Sequence, residues 1–123
     1  MPLESYRQLR VWQLGMQLAK DVYLLTQGFP KHEVYGLSSQ VQRSAVSIPA
    51  NLAEGHTRES TKDFLRYISI AQGSLAETET HLLLAESLNY ATSDQIAAIL
   101  EKCAEERKML GALRRRLREK LHP

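Results

Sequence analysis

The sequence predicts an all-α chain, an up-down-up-down four-helix bundle, and three observations carry that expectation. Apolar residues recur at helical spacing through four long segments. Helix-start signatures stand ahead of three of them, at Ser5 with Gln8, Ser60 with Asp63 and Thr92 with Gln95. No stretch of useful length alternates with the period of two that a strand requires. The connections are short, which favours neighbouring antiparallel helices. A chain of 123 residues has room for one ordinary core, so the expectation is a single domain over residues 1–123.

The first helix is expected from Ser5 to Gln27, interrupted only by Gly15. Leu9, Trp12, Met16, Ala19 and Tyr23 form one stripe, with Val11, Leu14, Leu18, Val22 and Leu25 beside it. That arc is wider than one bundle face needs and points to a second packing surface, between subunits or against a partner. Gly28 stands where a left-handed cap belongs, and Pro30 blocks continuation. In the link to Gly36, Phe29 and Tyr35 are expected to fold over the bundle end.

The second helix, Leu37 to Gly55, is the unusual one. Leu37, Val41, Ala45, Ile48 and Leu52 give it an apolar stripe, while Ser44, Ala45, Ser47, Ala50, Ala53 and Gly55 are small enough to let a neighbouring backbone come close. Pro49 lies inside it. A helix-interior proline removes one backbone hydrogen bond and costs about 3 kcal/mol, so packing must offset it. Ser44 and Ser47 are the candidates to satisfy the carbonyls it frees.

The third helix starts after Ser60 and runs to about Leu88, with Phe64, Ile68, Ala71, Leu75, Thr78, Leu82 and Ala85 facing inward and Tyr67 and Ile70 outside that stripe. Gly73 in mid-helix costs about 1 kcal/mol relative to alanine, for which close backbone approach is the expected reason. Asn89 terminates this helix. Ile96, Leu100, Cys103, Leu110, Leu113 and Leu117 then carry the inward face of the fourth to near Leu121.

Composition narrows the class. With 43% apolar and 24% charged residues the chain is an ordinary globular protein, which excludes disordered and collagen-like sequences. No apolar run approaches the roughly 20 residues of a membrane span, and no leader pattern opens the chain, so a cytoplasmic location without membrane contact is expected. The lone Cys103 fits a reducing compartment and a place in the core.

Catalytic signals are weak. A di-iron bundle needs paired Glu-x-x-His motifs, whereas Glu77 and His81 are four apart and His32, His56 and His122 fall in links or at the end. Ser74, Glu77 and His81 share a helix, but no nucleophile elbow or oxyanion donors accompany them. Gly55 and Gly73 stand alone, so no phosphate loop exists. The expectation is a non-enzyme with no cofactor and no metal.

Charge distribution says more than the net charge of +2. On the fourth helix Asp94, Glu101, Glu105 and Glu106 precede Arg107, Lys108, Arg114, Arg115, Arg116, Arg118 and Lys120, a layout that complements the helix dipole and also offers phosphate contacts. Arg58, Lys62 and Arg66 make a smaller basic group at the start of the third helix. These ten residues are the candidate nucleic-acid contacts. Gln40, Arg43, Ser47, Asn51 and Glu54 form a polar stripe on the second helix, expected to meet Ser74 and Glu77 of the third in a polar seam that sets register.

One combination of motifs resembles a known family. Leu9, Val11-Trp12, Phe29-Pro30, Tyr35-Gly36-Leu37, the run Gln40-x-x-Arg43-Ser44-Ala45-x-Ser47-Ile48-x-x-Asn51-x-x-Glu54-Gly55, Phe64, and Gly73-Ser74-Leu75-x-Glu77 are similar to the bacterial four-helix bundle proteins, also called 23S ribosomal RNA intervening-sequence proteins. The resemblance implies an up-down bundle assembling into a homopentamer, like the accessory variability protein of diversity-generating retroelements. That relative binds nucleic acid and a reverse transcriptase through basic surface. The functional expectation is a non-enzymatic, oligomeric accessory protein that binds RNA or DNA, with a reverse transcriptase or other protein as a further partner. The alternative is an interaction scaffold that recruits a partner through apolar surface.

Overall fold

A computed structural model describes residues 5–122 of the chain. Four α-helices account for most of it: α1 (Arg10–Thr26), α2 (Leu37–Thr57), α3 (Thr61–Ser87) and α4 (Ser93–Leu121), with 3-10 turns at Tyr6–Gln8 and Lys31–Glu33 and no strand among the described residues. α1 packs on α2, α2 on α3, α3 on α4, and α4 back on α1, with the α2–α3 contact the most extensive and the α1–α4 contact the least. The four-helix bundle encloses one core, in which Leu18, Val22, Val41, Ile48, Leu52, Ile68, Leu75, Leu82, Ile96 and Leu110 are essentially inaccessible to water. Full burial of each such side chain contributes about 1.5–3 kcal/mol.

The helix ends follow local chemistry. Ser60 Oγ accepts from Asp63 N–H at 3.0 Å, and Thr92 forms a full capping box with Gln95. Asn89 takes the left-handed conformation at φ 61°. Asn89 N–H then reaches Glu86 C=O and Tyr90 N–H reaches Ala85 C=O, the doubled closure of a Schellman end. The Ser5–Gln8 box also forms, but it caps only a 3-10 turn. Leu9 is extended (φ −74°, ψ 126°) and buried, so the helix proper restarts at Arg10.

Several expectations give way. No described glycine has a positive φ; α1 closes at Gly28 through tight bonds from Gly28 N–H to Leu25 C=O and Phe29 N–H to Thr26 C=O. Phe29 does fold in, its ring tilted at 50° to Tyr90 with centroids 5.5 Å apart, whereas Tyr35 is 95% exposed. On α1, Met16 and Tyr23 face solvent, and the buried line is Val11, Gly15, Leu18, Ala19, Val22 and Thr26. The helix axis therefore turns the second stripe inward, and Gly15 is part of it. His56 belongs to the last turn of α2, edge-on to Phe64.

Pro49 is accommodated differently from the expected hydroxyl repair. Ser44 Oγ donates to Val41 C=O at 3.1 Å, and Ser47 Oγ bonds across to Ser74. Neither reaches back to the carbonyl whose helical partner the proline removes. Pro49 is instead buried against Gly15 of α1, where a Cβ would stand 3.4 Å from Pro49 Cβ. Gly73 is likewise not at a close approach, since a Cβ there meets nothing within 4 Å. The close approach is at Gly55, where a Cβ would come within 2.5 Å of Tyr67 Cβ, which buries Tyr67 rather than leaving it outside the stripe.

Candidate functional site

The α2–α3 seam is built from hydroxyls. Thr78, fully buried on α3, donates to Ser44 Oγ on α2 at 2.9 Å; four residues earlier along α3, Ser74 shares a 2.9 Å bond with Ser47. Asn51 braces the second pair by donating to both Ser47 C=O and Ser47 Oγ at 2.8 Å. Farther out, Gln40, Arg43, Ser44, Ser47 and Glu77 line an open polar cleft of about 480 Å³. Arg43 and Glu77 share that cleft without an ion pair, and Glu77 lies 3.8 Å from His81 on its own helix. Glu54, at the far end of the stripe, accepts from Arg58 and from Tyr67 Oη, both at 3.2 Å, while Arg58 also donates to Tyr67 Oη at 2.8 Å. All seven residues of the expected seam thus lie along α2–α3. Its buried part is hydroxyls and its exposed part is charged.

The basic residues divide into three groups. Arg58 and Arg107 are held by acids, Arg58 by Glu54 and Arg107 by Glu79 of α3. Arg58 also stacks over the Tyr67 ring; its partners, Tyr67 first, raise its pKa further. The second group converges: Lys62 and Arg66 from the first turns of α3 meet Arg114 and Arg118 from the last turns of α4 around one open cleft of about 300 Å³, together with Leu65, Ser69 and the single acid Asp63. Spacing explains the convergence. Arg107, Arg114 and Arg118 recur at seven and four residues, one stripe of α4, and that stripe faces α3: Arg107 meets Glu79 and Arg114 donates to Gln72 at 3.1 Å. The third group points elsewhere. Arg116 lines a cleft on the α1 side with Arg10 and Leu9, and Lys108, Arg115 and Lys120 are exposed.

Asp63 and Glu106 are two acids that the sequence reading left out of its candidate sites. Asp63 sits among the four converging cations. Glu106 is buried on α4, although its spacing of three from Cys103 and four from Leu110 placed it on the inward line all along. Among the described residues no group of three or more His, Cys, Asp or Glu is arranged to hold a metal ion. Cys103 is fully buried and its thiol is pushed up to about 12, chiefly by burial, so it is an inert core residue. No helix of the described residues is long and apolar enough to cross a membrane.

Residues 7–112 match the family model described as 23S rRNA-intervening sequence protein. The chain belongs to that family. A solved structure from Bacteroides thetaiotaomicron VPI-5482, of a protein with unknown function from the S23 ribosomal protein family, is 27% identical and superimposes with a TM-score of 0.75 over 84% of this chain and 96% of that one. No curated protein matches the chain. The 23S rRNA-intervening sequence protein model covers the hydroxyl seam and the Gly55 contact in full, and stops before Arg114, Arg115, Arg116, Arg118 and Lys120. Membership therefore accounts for the fold, and neither description names an enzymatic activity.

Proposed function

We propose that this protein is a non-enzymatic accessory factor that binds RNA or DNA through the phosphate backbone, at the surface where the start of α3 meets the end of α4. The observation that carries the reading is the convergence of Lys62, Arg66, Arg114 and Arg118, from two helices, on one open cleft with a single acid among its lining residues. Arg58 and Arg107 are held by acids, whereas among the described residues Lys62, Arg66, Arg114 and Arg118 make no ion pair, Arg66 lying over the Tyr67 ring and Arg114 donating to Gln72. Guanidinium groups suit phosphate because their planar donors match its oxygens. An up-down-up-down bundle assembled as a homopentamer would repeat the cleft around a ring and raise its effective affinity without any new contact.

The test is a binding titration of structured RNA and of duplex DNA against salt. Four phosphate contacts give a log–log slope of about −3 to −4. Replacing Lys62, Arg66, Arg114 and Arg118 together with Gln removes most of that slope and weakens binding tenfold or more at low salt, while Arg107→Gln leaves the slope unchanged. Absent binding at low salt, or unchanged affinity in the fourfold variant, overturns the proposal.

A second reading is favoured by a different observation. Met16, Tyr23 and Leu24 on α1, Ile70, Leu83 and Leu84 on α3 and Leu88 just past its end are each 42–54% exposed, apolar surface that the bundle does not use. Such surface suits an interaction scaffold, whether for further copies of the chain or for another protein such as a reverse transcriptase. Light scattering behind a sizing column separates a self-assembling chain from a monomer.

A further inference from the structure

Glu106 is fully buried, and neither of its carboxyl oxygens has a hydrogen-bond partner. A charge in that position would be costly, because an ion moved into an apolar interior without a partner loses its hydration and gains nothing in return. The site nevertheless fits the side chain closely. Gly15 of α1 stands opposite, and a Cβ there would lie 3.1 Å from Glu106 Oε2, 3.4 Å from Ile48 Cγ2 and 3.4 Å from Pro49 Cβ. Gly15 thus leaves the space that the carboxyl occupies, at the point where α1, α2 and α4 meet.

Among the described residues no cation pairs with the carboxyl. Around Gly15 of α1, the side facing Glu106 also carries Ile48 and Pro49 of α2, and none of the three titrates. On α4 itself, Glu105 acts on Glu106 as a like charge and Cys103 lies one turn before it. From α3, Glu79 acts on Cys103 of that turn and is committed to Arg107. Lys102, the neighbouring cation on α4, is engaged by Asp21 of α1. Burial first, and Glu105 second, raise the pKa of Glu106 from 4.5 to about 8.

We infer that Glu106 is a proton switch for the α1–α4 seam, which closes over the neutral acid and opens when the proton leaves. The seam is the one suited to this, being the least extensive of the four helix contacts. It is also flanked by two open clefts, one lined by Leu9, Val11, Met109 and Leu113 and the other by Asp21, Leu24, Ile99 and Lys102. The sign is fixed by linkage. The folded state holds a proton that the unfolded or opened state releases, so the closed seam has its full stability below pH 4.5. That stability is lost progressively as pH rises through about 8.

Cys103 supplies the readout, since it is fully buried one turn from Glu106 and is shielded from reagent while the bundle is closed. The experiment compares iodoacetamide labelling of Cys103 in the wild type and in Glu106→Gln from about pH 5.5 to about pH 9; the thiol's own titration in the opened state cancels in the ratio. The wild-type rate is expected to rise tenfold or more relative to the variant across that range. A flat ratio overturns the inference. Should Glu106→Gln fail to fold, the side-chain carboxyl carbon of Glu106 is followed by NMR in the wild type. A midpoint near 8 is expected, and one near 4.5 overturns the proposal.

Discussion

The α2–α3 seam and the α1–α4 seam both bury polar side chains, and they treat them in opposite ways. On α2–α3 each buried hydroxyl has a partner: Thr78 with Ser44, Ser74 with Ser47, and Ser44 in turn with Val41 C=O. On α1–α4 the buried carboxyl of Glu106 has none. A satisfied network adds little net stability but penalises every register that breaks it, whereas an orphan acid makes stability depend on pH. The glycines divide in the same way. Gly55 lets Tyr67 of α3 come against α2, and Gly15 makes room for a side chain that then goes unsatisfied.

The largest way to break this contrast is at Glu106. Glu106→Met, which keeps the volume and discards the charge, is expected to stabilise the fold by about 4 kcal/mol more at pH 9 than at pH 5, measured by urea unfolding. Equal changes at both pH values would remove the distinction between the seams. Next is Gly55→Ala. Its Cβ would meet Tyr67 Cβ, an atom fixed to its backbone, so α2 and α3 must separate, and a loss of about 1–3 kcal/mol outweighs alanine's better helix propensity. Thr78→Val is expected to cost about 1–1.5 kcal/mol by leaving Ser44 with one partner fewer, with no change in its pH dependence. Smallest is Gly73→Ala, which fills open space on an exposed helix face and should gain about 0.5–1 kcal/mol, read as a raised melting temperature. A loss there would reveal a second surface resting on Gly73.

The helices were legible because periodicity and caps act locally. Ser60 and Thr92 cap where they stand, and the Leu37–Val41–Ala45–Ile48–Leu52 line is buried as spaced. Long-range geometry was not legible. Gly55 and Gly73 are alike in sequence, each a glycine in a helix beside small or polar residues, and only the crossing of α2 over α3 selects Gly55 for contact. For the candidate site the basic residue types could be read, while their grouping could not. The run Arg114-Arg115-Arg116 sends its members to different faces of α4, and only Arg114 joins Arg118, Lys62 and Arg66. Glu106 carried a signal, an acid on an inward line, that the acid-then-base pattern along α4 concealed.

The link between α1 and α2 has a consequence of another kind. Glu33 accepts from Leu37 N–H at 3.0 Å, the contact that most lowers its pKa, and from Tyr90 Oη at 2.8 Å, so one carboxylate ties the first turn of α2 to the connection after α3, 57 residues away. Gly36 lies against the same carboxylate, where a Cβ would come within 2.4 Å of Glu33 Oε1. Two connections that look independent along the chain thus share a knot. Extra residues spliced next to Gly36 or Tyr90 would loosen both; in the Arg58–Ser60 turn, where Arg58 holds Glu54 and Tyr67 and Ser60 caps α3, the exposed Glu59 between them is where the molecule would accept a tag, a cut or new chain ends.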